Sequence, residues 1–333
     1  MDRFEPLSSE DIVAAAKRIS LHIVRTPLIR AHEIEKQYGL DYPIFLKCEQ
    51  FQRTRSFKER GAYNALLQQS QDILKQGVVT RSSGNFAQAF ACASERLGIA
   101  AHIVMPTSAP KVKVANTMRW NPEVILHGTT HVEGMAKVQE LIRERNYYYI
   151  SPFDDRQIIA GQGTAAKEIT EDCHHPISQF YCAVGGGGLM AGCALWMRSV
   201  NPRTEVVAVE PETANDFSLS FAKKTLMSIN APKSIADGLL TPSVGKENWP
   251  ILRDCVDSVD TVTEDQIRES IYLLGTFQNI VVEPSGATAF AALKQRLERG
   301  LKPPEGAVVC MVSGGNVDMS FYLENAQKFQ TKK

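Results

Sequence analysis

The chain has 333 residues, 44% hydrophobic and 22% charged, with 37 Lys+Arg against 37 Asp+Glu for a formal net charge of zero. At ~150 residues per domain, that length predicts about two domains or one elaborate α/β unit with a full core. The charge balance excludes the broad basic field of a nucleic-acid or anionic-membrane binder, so any charged ligand must be met by a local site.

The chain opens on Met1-Asp-Arg-Phe-Glu-Pro6, which carries acids and no apolar run. Nowhere do about 18 apolar residues follow one another, so neither a secretory signal nor a membrane span is expected, and a cytoplasmic location follows. The first predicted strand, Pro43–Lys47, leads through Gln52-Arg-Thr-Arg-Ser56-Phe57-Lys58 to the start of a predicted helix. A lysine beside an aromatic at that place is either solvated on a charged turn or desolvated enough to be a neutral nucleophile. Next come a strand at Gly77–Thr80, the loop Ser82-Ser-Gly-Asn85 and a helix over Phe86–Leu97. The loop amides, at a strand exit and helix start, suit a carboxylate. Ser83 or Asn85 is also expected to cap that helix.

Strands follow at Ala101–Met105 and Glu123–Leu126, a helix at Val132–Glu144, and a buried strand at Tyr147-Tyr-Tyr149. Cys173-His174-His175 sits in a polar stretch and is expected at the surface. The strand Gln179–Val184 runs into Gly185-Gly-Gly-Gly188, and later elements are Thr204–Val209, Thr263–Leu274 and Ala307–Val312. Strand–helix alternation with nearly continuous apolar strands predicts mostly parallel sheets covered on both faces. The block 78–154 contains three strand–helix units, which predicts a small domain inserted into a large one made of 1–77 and 155–333. Seven scattered cysteines without a C-x-x-C pair read as buried thiols in a reducing compartment.

Ligands in such folds bind beyond the carboxyl ends of strands, which draws attention to the glycine run. Four glycines let backbone N–H groups close on an anion at a helix N-terminus. The residues alone leave its owner open: Gly186-x-Gly188-x-x-Ala191, with Glu210 ending the next strand, also satisfies a dinucleotide fingerprint.

The segment Lys47-Cys-Glu49…Gln52-Arg-Thr54-Arg-Ser-Phe-Lys58-x-Arg60-Gly-Ala resembles the lysine motif of fold-type II pyridoxal-phosphate enzymes, closest to the serine racemase and serine/threonine dehydratase branch. Matches continue in order at Ser82–Asn85, Ala160-Gly-Gln-Gly-Thr164, the glycine run, Glu210-Pro-x-x-Ala214-x-Asp216, Ile235–Gly238, Glu283-Pro-Ser-Gly286 and Ser313–Asp318. They extend from Thr26-Pro27 almost to the chain's end. The resemblance implies the α/β, tryptophan-synthase-β-like fold with two domains and mostly parallel sheets. It also implies pyridoxal 5'-phosphate as cofactor, an amino-acid substrate and a homodimer.

By the same resemblance, Lys58 carries the cofactor covalently and serves as base at Cα. Gly185, Gly186, Gly187, Gly188 and Leu189 hold its phosphate, Phe57 packs near its ring, Asn85 bonds the ring hydroxyl, and Ser313 meets the pyridine nitrogen. A serine hydroxyl cannot keep that nitrogen protonated, so the ring is a weaker electron sink and β-elimination is favoured. Ser82, Ser83, Asn85 and Phe86 would meet the substrate. Ser83 is the position where racemases carry a second proton donor and pure threonine dehydratases an alanine. Glu210, the Ala214 carbonyl and Asp216 match a site for Mg²⁺, Ca²⁺ or Mn²⁺, with an acidic helix-capping loop as the plainer reading.

Several positions depart from the pattern. Phe86 stands where histidine is usual, and Gly134 and Phe153 fall near an arginine and an asparagine of racemases, so a guanidinium in the carboxylate clamp is expected to be missing. Arg53 and Thr54 match only part of a nucleotide-contacting stretch. Little chain follows Asp318, so a regulatory domain is not expected. The implied activity is a serine/threonine ammonia-lyase, with racemisation of serine left open beside elimination. The alternatives are a predominant serine racemase, a dehydratase of another β-hydroxy amino acid such as 3-hydroxyaspartate, a dinucleotide oxidoreductase and a silent binding protein.

Overall fold

The computed structural model describes residues 6–300 and 302–330; the acidic start on which the expectation of no leader rests, residues 1–5, lies outside them. Among the described residues, ten strands form two sheets. In chain order they are β1 (Leu28–Arg30), β2 (Ile44–Cys48), β3 (Val78–Arg81), β4 (Ala101–Met105), β5 (Glu123–Leu126), β6 (Tyr148–Tyr149), β7 (Ile177–Ala183), β8 (Glu205–Pro211), β9 (Ser258–Val262) and β10 (Ala307–Val312). The helices of the first half are α1 (Ser9–Ile19), α2 (His32–Gln37), α3 (Lys58–Leu67), α4 (Gln71–Gln76), α5 (Asn85–Leu97), α6 (Lys111–Met118) and α7 (His131–Arg145). Those of the second half are α8 (Arg156–Asp172), α9 (Gly188–Val200), α10 (Asp216–Lys223), α11 (Asn248–Cys255), α12 (Glu264–Gln278), α13 (Pro284–Glu298) and α14 (Met319–Gln330).

The six-stranded sheet runs β1-β2-β10-β7-β8-β9, parallel except for the antiparallel β1–β2 pair. Its central strands are apolar on both faces because both are covered. Along β10, Val308, Cys310 and Val312 enter one core while Val309 and Met311 enter the other. In β7, Tyr181 and Ala183 likewise oppose Phe180 and Cys182, the period-two alternation of a doubly covered strand. Helices α12 and α13 fill the first core, and α8 and α9 the second.

The four-stranded sheet, β5-β4-β3-β6, is all parallel and built entirely from residues 78–149. α5 covers one face through Phe86 and Phe90, and α7 the other through Val138 and Leu141. α7 starts where Thr130 and Glu133 form a reciprocal capping box, and α12 where Thr263 and Gln266 do the same.

Two expectations need correction, and two strands were not anticipated. The tyrosine run is not a buried strand: only Tyr148 and Tyr149 pair, at the sheet edge, with Tyr148 exposed, and Tyr147 stacks on His102 at 3.9 Å between centroids. Strands β1 and β9 carry no sequence signal, because edge strands lack a continuous apolar run; Asp260 of β9 instead pairs with Arg296. Six cysteines are buried, but Cys173 is partly exposed, next to the exposed His174 and His175. Among the described residues, no helix is long and apolar enough to cross a membrane.

Candidate active site

The carboxyl ends of β2, β10, β7 and β3 deliver four segments to one place. The first is the turn ahead of α3. It lies against the exit of β10, with Phe57 N–H donating to the Ser313 carbonyl at 3.1 Å, Gly315 N–H to the Arg55 carbonyl at 2.9 Å, and Ser56 bridging Gly314. Beneath it, Arg60 is fully buried. Its guanidinium bonds Glu49 at 2.7 and 2.8 Å and Glu168 at 2.8 and 2.7 Å, while Lys47 reaches Glu168 at 2.6 Å. Two cations and two anions thus form a neutral set that anchors α3 to β2 and α8, and this is what the charges of the lysine motif do.

Lys58 begins α3. Its Nζ donates to the Pro152 carbonyl at 2.9 Å and lies 5.0 Å from the Phe57 ring centroid and 5.7 Å from that of Phe86. No carboxylate pairs with it among the described residues, and burial lowers its pKa to about 8. An amine so placed is neutral in a useful fraction near physiological pH.

The second segment is the glycine run. Gly187 has φ +95°, and α9 starts at Gly188. The loop is packed so closely that side chains have no room: a Cβ on Gly186 would strike the Phe153 ring, and one on Gly188 would lie 2.9 Å from the Phe153 carbonyl oxygen. Asn248 Nδ2 donates to the carbonyls of Gly186 at 2.6 Å and Phe153 at 3.2 Å, fixing the turn. A rigid cradle of bare amides at a helix N-terminus fits a phosphate.

The third segment is the loop after β3. Contrary to expectation, neither Ser83 nor Asn85 caps α5; the N-cap is Gly84, without a side-chain bond, and Ser82 Oγ accepts from Gly84 N–H at 3.4 Å. Asn85 is engaged instead with two neighbours: its Nδ2 donates to Glu283 Oε1 at 2.6 Å and its Oδ1 accepts from Asn316 Nδ2 at 2.8 Å. Burial raises the Glu283 carboxyl to about 7. The fourth segment brings Ser313, buried, with its Oγ donating to the Ser285 carbonyl at 3.4 Å.

Phe57, Lys58, Ser82, Ser83, Asn85, Phe86, Gly185–Gly188, Leu189 and Ser313 all line one cavity of about 420 Å³. The donor set fits pyridoxal phosphate: an amine without an acid partner, an anion cradle, and a neutral hydroxyl at the end of a buried strand. The cavity wall also holds Asp237, from the matched Ile235–Gly238 segment, and residues that sequence reasoning passed over, including Arg81, His131, Tyr149 and Asp154. Arg81 directly precedes the matched Ser82–Asn85 loop, but as the end of a strand it gave no signal of its own.

Glu210, Ala214 and Asp216 lie apart from the cavity, at the exit of β8 and the start of α10. Glu210 is not poised for a ribose, as the dinucleotide fingerprint would have it; its carboxylate accepts from the N–H groups of Phe217 at 3.0 Å and Ser218 at 2.7 Å. Both carboxylate oxygens of Asp216 are buried with no side-chain partner, facing only the backbone N–H groups of Asp216 itself and Val244. Burial raises both acids, and the charge of Asp216 raises Glu210 further. Two such acids and a nearby carbonyl fit a hard divalent cation. Among the described residues, no cluster of three or more His, Cys, Asp or Glu gathers as a larger metal set.

The sequence profile of the family described as pyridoxal-phosphate dependent enzyme matches residues 19–314. The chain is 38% identical to the serine racemase of Schizosaccharomyces pombe, covering 94% of this chain and 95% of that one. It is 36% identical to the L-threo-3-hydroxyaspartate ammonia-lyase of Saccharomyces cerevisiae, covering 94% of each. The structure of the processed form of threonine deaminase isoform 2 from Solanum lycopersicum superposes with a TM-score of 0.88 at 31% identity, covering 97% of this chain and 95% of that one.

Proposed function

The chain belongs to the pyridoxal-phosphate dependent enzymes, and from that premise we propose that it is an ammonia-lyase acting on serine, threonine or a related β-hydroxy amino acid, with racemisation at Cα as a second outcome. The observation that carries this reading is the meeting of Lys58, the Gly185–Gly188 cradle, the Ser82–Asn85 loop and Ser313 in one cavity. Lys58 would hold the cofactor covalently. The amides of Gly185–Gly188 and Leu189 would take its phosphate, Phe57 would flank the ring, and Asn85 and Ser313 would address the ring hydroxyl and nitrogen. When bound there, pyridoxal phosphate supplies the sink for the electron pair left at Cα.

This chain's own residues move the protons and orient the substrate. The Lys58 amine, kept partly neutral by burial, takes the Cα proton. The Ser82–Asn85 amides receive the α-carboxylate and hold the Cα–H bond toward the lysine. The neutral Ser313 hydroxyl favours departure of the β-hydroxyl over build-up of charge at Cα, so water is lost across Cα–Cβ. Hydrolysis of the C–N bond then gives a 2-oxo acid and ammonia. Ser83, with a hydroxyl, provides a second proton donor for inversion, which is the observation favouring the racemase reading beside the lyase one.

Around this centre we place the remaining assignments. Glu210, the Ala214 carbonyl and Asp216 hold Mg²⁺, Ca²⁺ or Mn²⁺ in a stabilising role. Residues 1–77 and 155–333 form the large domain and 78–154 the small one, and the enzyme works as a cytoplasmic homodimer. The test is incubation of the purified protein with L- and D-β-hydroxy amino acids, reading 2-oxo acid and enantiomer ratio from the same tubes. Production of 2-oxo acid with cofactor-dependent loss of substrate is expected; no turnover of any member of the panel would overturn the reading.

A further inference from the structure

The cavity wall formed by β3 and α7 carries a cation that the chemistry above leaves unused. Arg81 is the last residue of β3 and lines the cavity. Its Nε is buried without a hydrogen-bond partner, and its Nη2 reaches the Thr130 carbonyl only at 3.4 Å. The side chain lies directly on Gly134 of α7: a Cβ built there would collide with Arg81 Nε and sit 2.9 Å from its Cδ. A bare backbone at 134 is therefore what lets the guanidinium occupy this wall. The guanidinium that glycine at 134 leaves out of the carboxylate clamp is thus matched by one from the adjacent strand, at a different place on the wall.

No carboxylate pairs with Arg81 among the described residues. The cavity's own acids are engaged elsewhere: Asp237 with Lys113, Glu283 with Asn85, and Asp154 with the Glu247 N–H at 2.8 Å. His131, on the same wall, is held toward its neutral form by burial and by the charge of Arg81. A partly desolvated guanidinium with an open donor is unfavourable until an anion meets it, and a carboxylate matches its planar fork. The Ser82–Asn85 amides already suit one carboxylate. A serine or threonine substrate would leave the second anion position unmatched, whereas a dicarboxylate fills both.

We propose that Arg81, seated over Gly134, determines specificity by binding a second, side-chain carboxylate, so that the favoured substrates are 2-amino-3-hydroxy dicarboxylic acids of the 3-hydroxyaspartate type. This rests on the lyase reading of the same site. The test compares kcat/KM for L-threo-3-hydroxyaspartate and L-serine in the holoenzyme and in Arg81→Gln and Arg81→Lys. A charge-assisted bidentate contact predicts that Arg81→Gln lowers the ratio of the two by roughly 10- to 100-fold, with Arg81→Lys between. A ratio within about twofold of the native one in both variants, or a native preference for serine, overturns the proposal. Calorimetry with L-malate against L-lactate gives a readout without turnover. Tighter binding of malate, lost in Arg81→Gln, supports the proposal even if no amino acid is turned over, a result that would overturn only the lyase reading. Equal affinities overturn the proposal alone.

Discussion

Replacing Arg60 with Met tests whether the buried charge set anchors the lysine-bearing helix. The substitution keeps most of the side-chain volume but removes contacts of 2.7 and 2.8 Å to Glu49, 2.8 and 2.7 Å to Glu168, and 3.0 Å to Thr164. Glu168 retains Lys47, but Glu49 keeps only neutral partners, the Thr26 hydroxyl and the Gln52 amide. An uncompensated buried charge of this kind costs about 3–5 kcal/mol. The loss should also depend on pH. In the native protein burial pushes Glu49 up, yet the charge and hydrogen bonds of Arg60 bring it below its ordinary range, so its contribution is present above the unfolded pKa and lost as pH falls through the lowered folded one. Without Arg60, burial raises Glu49, and the variant's stability falls as pH rises through the raised value. Urea unfolding of cofactor-matched samples at pH 5.5 and pH 8 should therefore show a gap of several kcal/mol that is wider at pH 8. A loss under about 1 kcal/mol, against the 3–5 expected for a broken buried pair, or a gap wider at pH 5.5, would refute the reasoning.

Three further outcomes follow from the same geometry. Ser83→Ala should reduce racemisation of serine well beyond elimination, measured as enantiomer ratio against 2-oxo acid in one reaction; equal loss of both contradicts the two-base division. Glu283→Gln should gain stability over the native protein between about pH 4.5 and 7, since an acid raised to about 7 stabilises fully below its unfolded pKa and loses that contribution as pH rises through 7. A melting-midpoint difference that does not grow over that window would refute it. Mg²⁺, Ca²⁺ or Mn²⁺ added after chelation should raise the melting midpoint of the native protein, and Asp216→Asn should abolish most of that rise. An undiminished rise in the variant excludes Asp216 as a ligand.

What could be read in the sequence was what depends on local pattern. The interior strands β7 and β10 announce themselves because both faces are apolar, and the exits of those strands carry the glycines and Ser313. β9 escaped because it is a short edge strand in which Asp260, paired with Arg296, interrupts the apolar Val259 and Val262 that do reach the cores. Gly84 displaced Ser83 and Asn85 as the cap of α5 because Asn85 is drawn away by Glu283 and Asn316, partners about 200 residues distant along the chain. Arg81 illustrates the limit most clearly. It lies 53 positions before Gly134 in the sequence, and its place over that glycine arises only once α7 packs on β3. Side-chain roles that depend on such meetings between elements leave no periodicity or motif behind.

The most direct test of the central claim is borohydride reduction of the purified protein followed by peptide mass spectrometry. The account predicts the mass of the reduced cofactor on the peptide containing Lys58, and on no other lysine. An unmodified Lys58 in protein that carries pyridoxal phosphate elsewhere would contradict it.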